Sequence, residues 1–394
     1  MTDVCIIGGG IIGLSIAREL AGRGLSVRVL ARETGRDTTS WAAAGIFPPA
    51  PRYAGAPPGD LLTAWSDELH RGWARELLEE TGVDNGLREC GGLHVAADEP
   101  GLARLTADVH GWKAKGIRCE RLDAAGLAAL EPALASAADR GRIVGGFFLP
   151  AEMQIRPPRH LQALRRSCVS RGVRLDEGAE VRDIVVRGGR AEAVVAESGG
   201  QIEDVHAGHY VLAAGAWSGR LAESLGLRLA TRPIRGQIAL LRLPRQVLTR
   251  VVNRGLAYLV PRDDGRLLAG STIEDAGFDA TTTPAAIDRL LRMVHDLLGE
   301  IGDATLEQSW AGLRPGSVDG LPSIGRSPAC GNAFVAAGHF RAGLHQSTGT
   351  AMLVADMICG NPTAIDAAPF APDRAPGTCD AVGEYLARSA AEAT

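Results

Sequence analysis

The stretch that decides the fold is Asp3–Gly13, DVCIIGGGIIG, in which a short apolar run precedes three glycines at GxGxxG spacing. The apolar run predicts a buried strand that ends at the first glycine. Gly8 permits a tight turn, Gly10 lets the backbone approach a pyrophosphate, and Gly13 lets the next helix pack closely. The N-terminus of that helix would present free N–H groups to phosphates. The pattern predicts a dinucleotide-binding site, whereas the glycines by themselves would also suit a flexible turn.

The segments that follow favour the dinucleotide interpretation. Apolar residues at helical spacing run from Leu14 to about Ala21, and a second strand is predicted over Val27–Leu30. Strand, glycine turn, helix and strand in this order form the unit that binds a dinucleotide.

The end of the second predicted strand departs from the usual pattern. An acidic residue there commonly binds the adenosine ribose, but this chain has Ala31. Glu33 could bind the ribose through a shifted backbone, or Arg32 could lie against the adenine or a phosphate. An arginine at this place also leaves open a 2′-phosphate, and therefore NADP.

The composition is that of a large globular protein. Its 394 residues, 45% of them hydrophobic, predict two or three domains. A net charge of −4 with scattered arginines argues against nucleic acid as a partner. Seven cysteines without a CxxC pair predict reduced thiols and no metal site. The apolar N-terminal stretch is broken by glycines and lacks a basic segment, so we expect no signal peptide, no stable membrane insertion and a cytoplasmic location.

Two further segments bear on ligand binding. Thr38–Gly45, TTSWAAAG, combines hydroxyls with small residues, as expected where backbone approaches a ligand, although the same pattern suits an N-capped helix start. Tyr210–Ser218 reads as a buried strand that ends in small residues, among them Gly215, and we expect this end to lie beside the glycine turn.

The remaining pattern alternates helices and strands, which predicts an α/β chain. Residues 173–195 read as a β-meander, and several short strands between 230 and 275 suit an antiparallel sheet. Helices are expected over about 61–80, 102–115, 157–171, 284–298 and 347–359, and strands over 91–95, 145–149 and 333–337. The last 24 residues, from Ala371, are rich in Ala and Pro, and we expect them to be frayed.

Several ordered motifs resemble the glycine oxidase branch of the D-amino-acid oxidase family of FAD-dependent oxidoreductases. They are WAGLRPG at 310–316, DGLP and IG within 319–325, and AAGHFRAG at 336–343. The likeness also covers the glycine turn, TTSWAAAG, the glycine pair at 91–92, AAGAWSG at 213–219 and YLVPR at 258–262. It therefore spans nearly the whole chain.

This resemblance implies an α/β fold with a Rossmann-type FAD-binding domain and an α+β substrate domain built on an antiparallel or mixed sheet. The FAD-binding domain would be discontinuous, formed by 1–85, 155–228 and 305–394, with the substrate domain formed by 86–154 and 229–304. FAD would be noncovalent, because relatives that attach flavin use a cysteine where this chain has Ala311–Gly312.

The resemblance also assigns roles to single residues. Arg314 and Tyr258 would bind the substrate carboxylate, since a planar guanidinium can make two parallel hydrogen bonds and a hydroxyl can add a third. Arg341 would lie close to both flavin and substrate. Residues expected along FAD are Gly8, Gly10, Ile11, Ile12, Gly13, Ala31, Arg32, Thr39, Ser40, Ala44, Gly45, Ile46, Val181, Gly215, Gly338, His339, Phe340, Arg341, Ala342, Gly343, Leu344 and His345.

Other interpretations of these residues remain open at the level of sequence. Arg314 could be a structural ion-pair residue and Tyr258 a core tyrosine. His339 and His345 would ordinarily be loop histidines, and neither is given a role in proton transfer.

Two departures from the family pattern affect the expected activity. Residues 344–348, LHQST, replace an apolar stretch near the place where oxygen access is tuned, so an oxidase and a dehydrogenase both stay open. Leu256 and Ile273 stand where similar glycine oxidases carry a His and a Met, which predicts a more apolar pocket and a substrate larger than glycine.

The expected reaction is oxidation of glycine, a small N-methyl amino acid or a D-amino acid to an imine and then a 2-oxo acid, with O2 reduced to hydrogen peroxide. The alternatives are a dehydrogenase that passes electrons to a quinone or a partner protein, and a noncatalytic flavin-binding protein. The oligomeric state, a homo-oligomer included, is not decided by the sequence.

Overall fold

The structure is a computed structural model that describes residues 2–32, 38–375 and 379–393. The strands in these ranges are β1 Thr2–Ile7, β2 Val27–Ala31, β3 Ile46–Phe47, β4 Arg88–Glu89, β5 Gly92–Ala96, β6 Glu120–Asp123, β7 Gly145–Leu149, β8 Met153–Gln154, β9 Arg174–Glu177, β10 Glu180–Arg187, β11 Arg190–Ser198, β12 Gln201–Val205, β13 Ala207–Leu212, β14 Thr231–Arg242, β15 Val251–Arg254, β16 Ala257–Pro261, β17 Arg266–Gly270, β18 Thr305–Ser317, β19 Ser323–Arg326 and β20 Ala333–Ala337. The helices are α1 Ile11–Gly22, α2 Thr39–Ala42, α3 Pro58–Thr81, α4 Glu99–Ala114, α5 Ala124–Leu130, α6 Ala135–Asp139, α7 Pro157–Ser170, α8 Ser218–Ala222, α9 Pro284–Leu298, α10 Ser347–Cys359 and α11 Ala381–Ala393.

A six-stranded sheet in the order β19-β20-β13-β1-β2-β9 carries the glycine turn. β1 runs parallel to β13 and β2, and only β19 is antiparallel to its neighbour. This is the predicted Rossmann-type arrangement. β9, which the sequence places in a meander, instead pairs in parallel with β2 and closes this sheet. The antiparallel part of the meander is the separate sheet β10-β11-β12.

The glycines of the turn are required by close contacts of the backbone. Gly8 has a φ of +119°, and a Cβ there would lie 2.3 Å from the Ala213 carbonyl oxygen. A Cβ on Gly13 would lie 1.9 Å from the Gly8 carbonyl oxygen. Since the obstacles are backbone atoms, α1 can pack on the turn only if these positions lack side chains.

Helices pack on one face of this sheet, and the apolar side chains between the sheet and the helices form a hydrophobic core. Apolar residues of α1, α3, α7 and α10 pack together there, among them Leu14, Trp73 and Leu164. The buried Arg18 of α1 is compensated by Glu76 and Glu80 of α3, each 2.9 Å from its Nη2. Pairing of this kind avoids the large cost of an isolated buried charge.

The second large sheet has eight strands in the order β18-β14-β17-β16-β15-β5-β7-β6. It is mixed, because β15 and β5 are parallel while the other neighbours are antiparallel. Helix α9 packs on it with α5 and α6 through Leu290, Val294 and Leu297. β18 belongs to this sheet, although the domain division proposed from sequence places 305–317 with the FAD-binding segments.

The expectation of a frayed C-terminal end is wrong for residues 379–393. α11 is a helix, and its Val382 is fully buried against Ile234, Leu256 and Ile273. Before it, Arg374 donates to both carboxylate oxygens of Asp319 at 2.9 and 3.0 Å. The Ala-rich composition therefore marks a helix that is stabilised by tertiary packing.

Candidate active site

A cavity of about 1700 Å³ extends from the glycine turn to the eight-stranded sheet. All of the residues that the sequence assigns to cofactor or substrate line it, except Gly13, Ala31 and Gly338. Gly13 lies under the turn against the Gly8 carbonyl, and Ala31 is buried with its Cβ against Gly9. Gly338 has a φ of +81° and shapes the turn that precedes the cavity-lining residues 339–345.

The wall beside the glycine turn is built by α2. Thr38 caps this short helix by accepting a hydrogen bond from the Trp41 N–H at 3.2 Å, so the N-capped interpretation of TTSWAAAG is confirmed. Ser40 accepts a hydrogen bond from the Ile11 N–H at 2.9 Å, and Thr39 donates to the Leu313 carbonyl at 2.6 Å. The hydroxyls thus hold α2 between the glycine turn and β18.

One end of the cavity is lined by Arg32, Val181, Gly215 and Trp217. The Arg32 guanidinium lies over the Trp217 ring, 4.3 Å from its centroid, and 3.8 Å from a Glu180 carboxylate oxygen. Glu33, the alternative ribose ligand, lies outside the described residues. A guanidinium held on an aromatic face is well suited to border an adenine or a phosphate.

Arg262 has a positioning role that sequence reasoning missed. It is buried, and its guanidinium donates to the carbonyls of Ala44 at 2.6 Å and Ile155 at 3.1 Å and to Gln154 at 3.1 Å. Burial lowers the pKa of Arg262 to about 9. These bonds hold the Ala44–Ile46 wall of the cavity, and the YLVPR motif was the available signal.

The side chains of Arg314 and Tyr258 each pack over a glycine of the adjacent strand in the sheet. A Cβ on Gly236 of β14 would be 2.2 Å from Arg314 Nη2, and a Cβ on Gly270 of β17 would be 2.6 Å from Tyr258 Cε2. Both side chains border the cavity. The two glycines therefore create the space in which the proposed carboxylate-binding pair lies.

The Arg314 guanidinium is held mainly by neutral oxygens. Its Nη1 donates to the carbonyls of Thr272 at 3.2 Å and Arg235 at 3.3 Å, and its Nη2 donates to Ser271 Oγ at 2.7 Å. Burial lowers the pKa of Arg314 to about 10, while the adjacent Tyr258 hydroxyl acts in the opposite direction. The side chain is therefore a cation at neutral pH.

The neighbouring Arg235 is held in a different way. Its Nε donates to Glu274 at 2.8 Å and its Nη1 to Asp279 at 2.6 Å, so its charge is compensated within the protein. Within the described ranges, no carboxylate forms an ion pair with Arg314. This contrast disfavours the interpretation of Arg314 as a structural ion-pair residue.

His339 and His345 both border the cavity, and each is held by contacts within the protein, as expected of loop histidines. His339 is buried with Nε2 3.0 Å from Thr350 Oγ1, and burial lowers its pKa to about 3, so it is neutral. His345 stacks on Phe47 with ring centroids 4.3 Å apart, and its Nε2 lies 2.7 Å from Asp67.

The polar segment 344–348 is explained by helix α3. Besides the pairing of His345 with Asp67, Gln346 donates to Thr63 Oγ1 at 2.9 Å and Thr348 donates to the Ser66 carbonyl at 3.0 Å. These polar groups bond to the helix. The departure from the family pattern is therefore a packing feature between α3 and the start of α10.

A buried carboxylate also lines the cavity and was not singled out from the sequence. Glu152 is 1% exposed, with Oε2 3.0 Å from His94 Nε2 and Oε1 accepting from Asn253 Nδ2 at 2.9 Å. His94 and Asn253 are register partners on β5 and β15. The three residues are far apart in sequence, so only the sheet brings them together.

The family model described as "FAD dependent oxidoreductase", DAO, matches residues 3–357. The chain belongs to the DAO family of FAD-dependent oxidoreductases. The glycine oxidase of Pseudomonas aeruginosa is 35% identical over 371 residues, which are 94% of this chain and 98% of that protein. The glycine oxidase of Geobacillus kaustophilus is 35% identical over 374 residues, 93% of this chain and 96% of that protein.

Solved structures agree with this assignment. The crystal structure of glycine oxidase from Geobacillus kaustophilus superposes with a TM-score of 0.87 at 34% identity, covering 95% of this chain and 99% of that one. Iminodiacetate oxidase from Chelativorans sp. superposes with a TM-score of 0.83 at 26% identity, covering 94% and 98%. The predicted family and fold class are confirmed.

The cavity of this DAO-family chain fits FAD. At the glycine turn, Gly8 and Gly10 have no side chains to cover the backbone N–H groups beside the N-terminus of α1, so a pyrophosphate can approach these groups. The cavity continues from there to the Arg32–Trp217 contact at one end and to Arg314 at the other. The predicted cofactor, FAD, is confirmed by the family, and its individual contacts stay predictions.

All seven cysteines are free, and none of them lines the cavity. Within 2–32, 38–375 and 379–393, no cluster of three or more His, Cys, Asp or Glu side chains could hold a metal ion. No helix of these ranges has the length and apolar character needed to cross a bilayer.

Proposed function

We propose that this flavoenzyme oxidises glycine, a small N-methyl amino acid or a D-amino acid at the Cα–N bond. The substrate loses two electrons and two protons to become an imine, and water hydrolyses the imine to a 2-oxo acid and ammonia, or to a 2-oxo acid and an amine when the substrate is an N-methyl amino acid. O2 takes up the two electrons and two protons and leaves as hydrogen peroxide. The two glycine oxidases that align with 94% and 93% of this chain, each at 35% identity, support this class of reaction.

The observation that carries the proposal is the uncompensated Arg314 cation in the cavity wall. Its hydrogen bonds to Thr272, Arg235 and Ser271 use three of the five guanidinium N–H groups. The N–H groups that remain can bind a substrate carboxylate together with the Tyr258 hydroxyl, which is itself a hydrogen-bond partner of Arg314. A noncatalytic flavin-binding protein would have no need for such an anchor.

The chain's residues act by binding and orientation. FAD, when bound in this cavity, would supply the redox chemistry. Arg314 and Tyr258 hold the carboxylate, which determines the face of Cα that is presented for reaction. We assign no side-chain base, because the substrate amine would react in its neutral form. His339 is buried and already forms a hydrogen bond with Thr350.

The flavin should be bound noncovalently, since no cysteine lines the cavity. Purified protein is expected to be yellow and to release all its flavin as FAD on acid or heat denaturation. Flavin that stays on the denatured chain would contradict this.

The deciding experiment is anaerobic mixing of the holoenzyme with glycine, N-methylglycine and pairs of D- and L-amino acids, followed by visible absorbance. Bleaching of the flavin by at least one of them is expected, and oxygen uptake with peroxide formation should follow on admission of air. If no amino acid bleaches the flavin, the proposed function is wrong. Bleaching without oxygen uptake would establish the dehydrogenase alternative.

A further inference from the structure

We infer that the C-terminal helix α11 forms a wall of the substrate end of the cavity and limits the size of the substrate's side chain. This inference rests on the proposed function, because it uses Arg314 as the substrate anchor. The family match ends at residue 357, whereas α11 spans Ala381–Ala393. The wall is therefore a feature of this chain beyond the matched domain.

The helix is held on the sheet by apolar packing. Val382 is fully buried in a cluster with Ile234, Leu256 and Ile273, and Leu386 packs against the same cluster. Leu256 and Ile273 also line the cavity. From sequence, Leu256 and Ile273 predicted a more apolar pocket and a substrate larger than glycine; in the structure both also pack against α11, so they support a wall there.

Polar contacts place the helix across the cavity. At its start, the Ala381 N–H donates to the Val318 carbonyl at 2.8 Å, just beyond β18. Towards its end, Arg388 Nη2 lies 3.5 Å from an Asp108 carboxylate oxygen of α4. The helix thus connects the segment after β18, the strand that carries Arg314, to α4, whose Asp108 also lines the cavity.

The wall lies next to the substrate anchor. The Thr272 carbonyl accepts from Arg314 at 3.2 Å, and the next carbonyl along the chain, that of Ile273, accepts from Ser389 Oγ at 3.3 Å. Consecutive peptide groups therefore bond to the anchor and to α11. A side chain on a substrate held by Arg314 has to fit beside this helix.

Tyr385 adds an aromatic contact on the same side. Its ring lies edge to face with Phe340, 5.5 Å between centroids, and the Arg341 guanidinium lies 5.1 Å from its centroid. Tyr385, Leu386 and residues 388–391 all line the cavity. The helix therefore also positions Arg341, which was expected near both flavin and substrate.

The test compares two unreactive carboxylates, acetate and benzoate, by calorimetric titration of FAD-loaded protein. A variant that ends at Ala375 keeps the Arg374–Asp319 pair and lacks α11, and Leu386→Ala shortens a single wall side chain. We expect the affinity ratio of benzoate to acetate to rise about tenfold or more in the truncated variant and severalfold in Leu386→Ala. Ala387→Gln, on an exposed position outside the cavity, is the matched control and should leave the ratio unchanged.

The outcomes separate this inference from the proposed function. An unchanged ratio in Leu386→Ala and in any folded truncated variant overturns the wall, whether the two affinities stay constant or fall together. If neither acid binds the full-length holoenzyme, both the carboxylate anchor and the wall are wrong. If the truncated variant fails to fold, Leu386→Ala alone decides, since it changes one partly buried side chain.

Discussion

At the scale of single residues, the site depends on how one cation is accommodated. Arg314 has only neutral hydrogen-bond partners in the described structure, whereas Arg235, its neighbour across the strand pair, is bound by two carboxylates. A buried cation retains its full attraction for an anion when no internal carboxylate competes. The charge of Arg235 is therefore compensated within the protein, whereas that of Arg314 stays available to an anion in the cavity.

Arg314→Ala should leave FAD binding nearly unchanged and strongly reduce turnover of amino acids. Loss of the cation that pairs with a desolvated carboxylate costs on the order of 3 to 5 kcal/mol, which is about 10² to 10³-fold or more in kcat/KM. Arg314→Lys should restore only part of the loss, because an ammonium cannot reproduce the planar fork. The measurement is the rate of anaerobic flavin reduction against substrate concentration, and a wild-type rate in a folded, yellow Ala variant would make Arg314 structural.

Gly236→Ala tests the same anchor without changing a residue that binds substrate. The new methyl would lie 2.2 Å from Arg314 Nη2. Because the obstacle is the end of a flexible side chain, the guanidinium should move and the fold should survive. We expect carboxylate affinity to fall at least about tenfold, roughly 1.4 kcal/mol, with unchanged FAD content. Normal affinity for carboxylates in this variant would show that the guanidinium position is not critical.

At the scale of elements, the β1–α1 unit tolerates no side chain at its contact points. The turn closes with Gly8 N–H donating to Leu30 and Ala213 N–H donating to Ile7, both at 2.8 Å, so three strands are joined at one place. The backbone around the turn cannot yield without breaking these bonds. The unit is therefore rigid before any cofactor arrives, which lowers the entropic cost of binding.

Gly13→Ala should be severely damaging, because its Cβ would lie 1.9 Å from the Gly8 carbonyl oxygen. Overpacking against backbone costs about 1 to 3 kcal/mol or more, and we expect lower thermal stability together with loss of FAD. The matched control is Gly72→Ala within α3, where a Cβ meets nothing within 4 Å. That change should stabilise the protein by about 0.5 to 1 kcal/mol through helix propensity. Equal melting temperatures for the two variants would contradict the packing argument.

At the scale of the whole molecule, the interface between the Rossmann-type sheet and the surrounding helices contains histidines that are kept neutral. Burial lowers the pKa values of His70, His160 and His339 to about 3. His70 donates to the His345 carbonyl at 2.8 Å, and His160 lies 6.1 Å from His70 between ring centroids. Protonation of any of them would place an uncompensated charge in the core.

The free energy of unfolding should therefore fall as the pH drops below about 6.5. The unfolded chain binds protons at these histidines from that pH downward, whereas the folded chain does not until about pH 3. Three such groups contribute a slope of about 4 kcal/mol per pH unit at most. Denaturant unfolding at pH 7, 6 and 5 measures the slope, and His160→Leu should remove about one third of it. Equal stability at pH 7 and 5 would be inconsistent with neutral buried histidines.

Much of the candidate site followed from the sequence, because the glycine turn states a local requirement of the backbone and the family resemblance implied the other residues. The glycine turn, Arg314, Tyr258 and the stretch at 339–345 all border one cavity. Glu152, Arg262 and Trp217 were not found, since their partners are far away in the chain. Periodicity shows that a residue is buried but does not name the residue it contacts.

The sequence by itself determined the elements whose signal is local. α9, α10 and β20 begin and end where the pattern predicts, and the requirement for glycine at position 13 follows from a backbone contact within one strand–helix unit. Only the tertiary structure decided that β9 joins β2, that Arg314 lies on Gly236, and that α11 packs on Leu256 and Ile273. These three contacts join segments that are far apart in the chain, and they form because the surfaces of those segments are complementary in shape and polarity. Periodicity along the chain shows which residues are buried but not which segments pack together.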